Sequence, residues 1–162
     1  MIENNNFSIA SYYEKDHDRL DQLFEEYLRL KHTDFTHAKE NFLAFKAGLQ
    51  KHIAWEEDIL FPIFEKKTGI LPGPTSVMRE EHRLIGEILE SIHERVKNSD
   101  TSSNQTEQSL LLILGQHNLK EENVLYPALD RVLTEEEKSI VFKEMKNVPM
   151  ERYEFCCSSI QR

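Results

Sequence analysis

Cysteine is nearly missing from this 162-residue sequence, and the two present, Cys156 and Cys157, are adjacent to each other in its last seven residues. Neighbouring cysteines cannot staple a fold, and they lack the two-residue spacing of a zinc knuckle or a redox motif. They read as a tail feature with no assigned use. Long apolar runs are missing too. The longest, Leu110 to Leu114, is far too short to span a membrane. The opening MIENNNF has neither the basic nor the apolar part of a signal peptide. The expected setting is cytoplasmic, without a membrane partner. Positive charge is scarce: 20 Lys and Arg against 29 Asp and Glu give a net charge of −9. No basic stripe is left to displace counterions from phosphates, which argues against nucleic acid as a general partner. With five Gly and five Pro there are few breakers, and no stretch alternates with period two for long enough to form a strand. The length suits one domain with a sizeable core.

What is present is helical periodicity. Ile9, Tyr12, Tyr13, Leu20, Leu23, Phe24, Tyr27 and Leu28 recur at helical spacing behind Ser8, a ready cap, and predict a helix over residues 8–31. Asp34 opens a second helix over 34–66, bent ahead of Pro62 and closed by the breaker run TGILPGPT. A third starts after Thr75 or Ser76 and reaches residue 97, and a fourth runs from about 106 through Pro127 to Val132. Thr134 with Glu137 has the form of a capping box and begins a short fifth helix to Asn147, stopped by Pro149. Short loops make neighbouring helices antiparallel. The expected fold is therefore all-α: an up-down-up-down four-helix bundle over residues 1–133, with a short C-terminal fifth helix and tail over 134–162.

One segment is written twice. HIAWEEDILFP at 52–62 returns 65 residues later as HNLKEENVLYP at 117–127, and the same offset relates His17 to His82. His17 and His52 stand 16 and 19 residues from a turn near Thr33, and His82 and His117 stand 18 and 17 residues from a turn near residue 100. At about 1.5 Å per residue, all four imidazoles reach one layer of the core. Glu56 and Glu121 follow His52 and His117 by four residues and so share their faces, whereas Glu57 and Glu122, rotated by a further ~100°, are expected to look away. A single His-x-x-x-Glu pair is more often a surface contact. Two copies, each with a histidine 35 residues upstream, point to metal. Imidazoles and carboxylates left unpaired in a core are unfavourable, and a pair of divalent or trivalent cations would supply their partners. With two His on each metal, both glutamates bridging and an oxo or hydroxo bridge, one octahedral position stays open on each ion. That suits iron acting on a small exogenous molecule better than closed tetrahedral zinc. Ligand types alone leave manganese and zinc open.

The order His, His-x-x-x-Glu, His, His-x-x-x-Glu on four helices, with FP or YP after each acidic pair, resembles the hemerythrin-like cation-binding (HHE) domain family over about residues 8–133. The resemblance implies a non-haem di-iron centre in a four-helix bundle, with His17 and His52 on one iron, His82 and His117 on the other, and Glu56 and Glu121 bridging as Fe–O–Fe neighbours. Oxygen-carrying hemerythrins have a further histidine one turn after the third-helix ligand. Here that position is Gly86, and Glu122 stands where they carry a final aspartate. Both irons are left open, which resembles the branch associated with nitric oxide, peroxide and iron–sulfur cluster repair.

The expected function is binding, sensing or reduction of O2, NO or hydrogen peroxide, with a redox partner or an iron–sulfur protein alongside. Iron donation to damaged clusters and a non-catalytic sensor or O2 carrier are the alternatives, and the residues leave open whether turnover occurs. Tyr13 and Tyr126 are placed to reach the centre as proton or electron donors, with core packing the readier role. Asp16 and Glu81 either orient ligands or face solvent, and Asp21 is a candidate seventh ligand. His32, His37 and His93 are expected at the surface. Pro62 and Pro127 either open the site by bending their helices or are tolerated kinks.

Overall fold

The computed structural model describes residues 8–102, 104–149 and 152. Among them every regular element is a helix. Helix α1 (Ile9–Leu30) starts where the Ser8 side chain accepts the amide of Ser11, and α2 (Phe35–Trp55) where Asp34 accepts that of His37. Each cap satisfies one of the amides that the first turn leaves without an intrahelical partner. The second rod then widens into a π turn (Glu56–Leu60) and continues as α3 (Phe61–Thr68), which ends at left-handed Gly69 with φ 68°. Helix α4 (Pro74–Lys97) follows, with Pro74 in the first turn, where no amide is needed. The fourth rod repeats the second: α5 (Asn104–Lys120), a π turn (Glu121–Leu125) and α6 (Tyr126–Val132). Helix α7 (Glu135–Met145) begins with the full Thr134–Glu137 capping box.

The bundle and the fifth helix are thus as the periodicity predicts, with two differences. The third and fourth helices start two to three residues earlier than the apolar pattern does, at Pro74 and Asn104. The fifth stops at Met145 rather than Asn147.

Two apolar clusters fill the interior. One, around Leu20, Phe24, Phe42, Phe45, Leu89 and Leu110, lies toward the end where α1 turns into α2. The other, around Ile9, Tyr13, Phe61, Met78, Tyr126 and Met145, lies toward α7. Each fully buried side chain of this size contributes roughly 1.5–3 kcal/mol. The first cluster is pinned at its outer end by a buried ion pair. Lys31 Nζ lies 2.8 Å from both oxygens of Glu107, and the Tyr27 hydroxyl donates to Glu107 at 2.7 Å. The second is closed by α7, where the Trp55 indole donates to the Met145 carbonyl at 3.1 Å. Between the clusters, at mid-bundle, run the four histidines of the repeat. No helix is long and apolar enough to cross a membrane among the described residues.

Candidate metal centre

Each π turn begins at the glutamate four residues after a histidine, and in each the amide five residues on bonds back to it: Phe61 to the Glu56 carbonyl, Tyr126 to that of Glu121. An i→i+5 bond accommodates one extra residue in the turn, so residue i+5 comes back to the face of residue i. That returns Phe61 and Tyr126 to the core alongside the glutamates. The wide turn also lies just upstream of Pro62 and Pro127, whose rings would crowd the carbonyls of Asp58 and Asn123 in a tight helix. The bend expected at these prolines is a local widening, with α-helix resuming beyond it.

The structure brings His17, His52, Glu56, His82, His117 and Glu121 together, all buried. Two groups have one potential ligand atom from each member within 4.8 Å of the others: Glu56, His82, His117 and Glu121, and His17, His52 and Glu121. His17 Nε2 lies 3.1 Å from His52 Nε2. Glu56 Oε1 stands 3.3 Å from His52 Nε2 and 3.5 Å from His82 Nε2, between one histidine of each hairpin. Glu121 Oε1 does the same at 3.4 Å from His17 and 3.2 Å from His117. Buried polar atoms ordinarily find partners, yet Glu56 Oε1, His82 Nε2 and Glu121 Oε2 have no hydrogen bond among the described residues. Three orphaned donor atoms of metal-ligating types, converging at the mid-bundle layer, fit a bound cation.

Each imidazole is held from behind by a carboxylate on the preceding helix of the circuit. Asp16 on α1 lies 2.8 Å from His52 Nδ1, and Glu57 lies 3.0 Å from Nδ1 of His82 on α4. Glu81 on α4 lies 2.8 Å from Nδ1 of His117 on α5, and Glu122 closes the ring at 2.9 Å from Nδ1 of His17 on α1. Nδ1 engaged in this way leaves Nε2 of every histidine facing inward. Here the expectation for Glu57 and Glu122 is corrected. A rotation of ~100° from the core-facing position leads into the seam with the next helix, so their side chains are 21% and 28% exposed and reach a histidine there. Three of the four carboxylates also meet a cation: Asp16 meets Arg19, Glu81 meets Lys120, and Glu57 meets Arg152 at 3.3 Å.

The electrostatics follow from this crowding. Burial and the neighbouring Glu121 charge push the Glu56 carboxyl well above the usual range. Glu121, although burial raises it too, is held well below by the His117 charge and by hydrogen bonds from Glu56, His117 and His17. Burial opposes protonation of His17, but hydrogen bonding to and the charge of Glu121, reinforced by Glu122, raise it to about 9. His52 is lowered, chiefly by burial and by the His17 charge beside it.

Tyr126 enters the centre more fully than core packing requires. Its hydroxyl is 3.1 Å from Glu56 Oε2, 3.1 Å from Glu121 Oε1 and 3.2 Å from His52 Nε2. Burial and the two glutamate charges raise it well above an ordinary phenol. Tyr13 instead packs its ring 5.1 Å from that of His52 and turns its hydroxyl to the Met145 sulfur at 3.3 Å. Asp21 joins neither ligand group but lines a cleft between α1 and α5. Burial raises its pKa, as do the charges of Asp18, Glu25 and Glu122. Gly86 is buried one turn past His82. His32 and His37 are exposed as expected. His93 is not: it is half-buried, its ring stacked 6.2 Å from that of Phe42. Its seam position, apolar on one side, escapes a count of turns from His82. Sequence reasoning also missed Arg152, which follows Pro149 and carries no periodic signal. Cys156 and Cys157 lie outside the described residues.

No solved structure matches the chain. Among curated proteins it is 32% identical over 93 residues to the iron-sulfur cluster repair protein YtfE of Edwardsiella ictaluri (strain 93-146), an alignment covering 53% of this chain and 42% of that relative. The chain therefore spans about two-fifths of the length of the curated relative it matches. The model of the hemerythrin HHE cation-binding domain matches residues 8–129, which contain every histidine and glutamate of the mid-bundle layer. With most of its length matched and a buried His/Glu cluster where a cation would sit, the chain belongs to the hemerythrin HHE cation-binding domain family.

Proposed function

We propose that the protein is a non-haem di-iron protein that binds and reduces a small oxidant, O2, NO or hydrogen peroxide, at open iron positions. His17 and His52 would hold one iron, His82 and His117 the other, and Glu56 and Glu121 would bridge them. The observation that carries this is the pair of ligand groups sharing Glu121, with three buried donor atoms left without partners. Iron so held supplies one-electron chemistry that side chains alone do not.

The chain's own residues have separable tasks. The Nδ1 carboxylates fix ring orientation and tautomer so that Nε2 is the ligating atom. The apolar clusters above and below exclude water from the layer. Tyr126, whose raised pKa keeps its proton at neutral pH, stands beside both glutamates as a proton donor to reduced ligand. Gly86 carries no side chain where a further imidazole would saturate one ion.

A second reading, iron donation to damaged iron–sulfur clusters, is favoured by the name of the curated relative. The same purified protein separates the two. Protein made under reducing, iron-replete conditions should carry iron, lost in Glu56→Ala and Glu121→Ala, and, supplied with a one-electron reductant, should consume peroxide or NO over many turnovers. Iron passing to an apo-cluster protein without turnover selects the donor reading. Absence of iron from such protein sinks both.

A further inference from the structure

The ring of carboxylates behind the histidines is uneven. Asp16, Glu57 and Glu81 each have a cationic side chain within reach, whereas Glu122 has only His17 among the described residues. Glu122 also differs in what lies beside it. It forms one end of a cleft of about 320 Å³ between α1 and α5. The α1 wall presents Asp18, Asp21 and Glu25, so the cleft gathers four carboxylates and no cation.

A metal-entry port would be polar throughout, and this cleft is not. Its floor is Phe24, Phe45 and Leu114, and its α5 wall is Leu111, Gly115 and Leu119 with Asn118 the one polar side chain among them. Leu111 and Leu119 are 37% and 57% exposed, an apolar ridge on a surface otherwise rich in acid. Between them, a Cβ added to Gly115 would meet nothing within 4 Å, so the ridge is notched by its glycine. An apolar trough flanked by carboxylates is complementary to one kind of side chain: a lysine or arginine, whose methylenes lie on apolar surface while the charged head reaches an anion.

We propose that this α1–α5 cleft is a docking site for a basic, amphipathic segment of a partner protein, one lysine or arginine of which enters the trough and pairs with Glu122, which no lysine or arginine among the described residues meets. Docking there places the partner one hydrogen bond from His17, so the engaged state is felt at the mid-bundle centre through the Glu122–His17 contact. The occupant is a protein segment because the exposed leucine ridge extends the complementary surface beyond what one free cation could cover.

The test uses the full chain, a fluorescent amphipathic lysine–leucine peptide as probe, and anisotropy at physiological salt. Saturable one-to-one binding is expected. The double change Asp21→Asn/Glu25→Gln should weaken it by about tenfold or more. Gly115→Leu, which leaves net charge untouched and fills the notch from an exposed helix face, should weaken it by at least as much. The charge-matched control Glu135→Gln/Glu136→Gln on α7 should change it by less than about twofold. In the iron-loaded protein the absorption spectrum should shift on binding, and the shift should vanish with Gly115→Leu; metal content is read separately, so failure of docking is distinct from failure of the di-iron reading. Equal weakening by the α7 control, or undiminished binding to Gly115→Leu, would show bulk attraction to an acidic surface and overturn the proposal. Stoichiometric displacement of the peptide by Mn2+ from the wild-type cleft would also overturn it, in favour of metal entry.

Discussion

Replacing Glu56 by leucine should leave the metal-free protein within about 2 kcal/mol of the wild type and remove its stabilisation by metal. Leucine approximates the volume of the glutamate, so the core keeps its packing. It removes Oε1, a fully buried oxygen without a hydrogen bond, whose desolvation costs about 1–3 kcal/mol. It also removes the 3.1 Å contact from the Tyr126 hydroxyl to Oε2, worth about 0.5–1.5 kcal/mol net. Glu121 loses its hydrogen bond from Glu56, worth about 0.5–1.5 kcal/mol net, but retains Tyr126 at 3.1 Å, His117 at 3.2 Å and His17 at 3.4 Å, so its charge is not orphaned. The balance lies within about 2 kcal/mol of the wild type in either direction, or within roughly 4–8 °C in Tm for a domain of this size. With iron present the wild type should be the more stable, because native-state binding at a hundredfold excess over Kd adds about 2.7 kcal/mol to the wild type alone. The assay is calorimetry of Glu56→Leu and wild type, each with chelator and with ferrous iron under reducing conditions. A metal-free loss of 3 kcal/mol or more would mean that Glu56 is part of a satisfied structural network. Undiminished stabilisation of the variant by iron would mean that Glu56 does not ligate.

Three other outcomes follow from particular contacts. Lys31→Met leaves Glu107 charged and buried, and should cost about 3–5 kcal/mol in urea denaturation, whereas Lys31→Met/Glu107→Leu should recover most of it. Tyr126→Phe preserves ring packing and should retain iron while slowing the oxidation of ferrous protein by peroxide by about a hundredfold in stopped flow; an unchanged rate removes the tyrosine from the chemistry. Because His17 is raised to about 9, it is protonated at neutral pH in the metal-free protein, and a ligating imidazole must be neutral. Metal uptake should therefore release protons, detectable with an indicator in weak buffer, and affinity should rise with pH through neutrality toward about 9.

The bundle was legible because its helices are amphipathic and its caps are local. Ser8, Asp34 and the Thr134–Glu137 box each sit within one turn of the amides they satisfy. The mid-bundle layer was legible for a related reason: rise per residue is nearly constant, so equal distances from a turn give equal heights. What a regular helix could not reveal is what departs from one. Tyr126 is five residues after Glu121, which in a straight α-helix points it ~140° away from that glutamate. The π turn removes most of that angle, and no propensity marks a π turn in sequence. Glu57 and Glu122 were misplaced for a different reason: a side chain off the core face is not thereby in solvent when another helix packs against that flank.

The repeat explains why those departures come in pairs, and their differences show where the two halves have different work. Both π turns return the residue five after their glutamate to the centre, but one delivers Phe61, stacked at 5.6 Å and 12° on His82, and the other delivers Tyr126 with its hydroxyl on both glutamates. Both rods send a second glutamate sideways, but Glu57 is met by Arg152 whereas Glu122 opens onto the cleft. The His82 side is thus apolar in front and charge-balanced behind. The His17 side has a proton donor in front and, behind, a carboxylate that meets only His17 among the described residues. If the two histidine pairs hold separate irons as proposed, the two positions would be unequal, and the phenolic proton and the open carboxylate would favour the His17–His52 side for exogenous molecules and for the proposed partner.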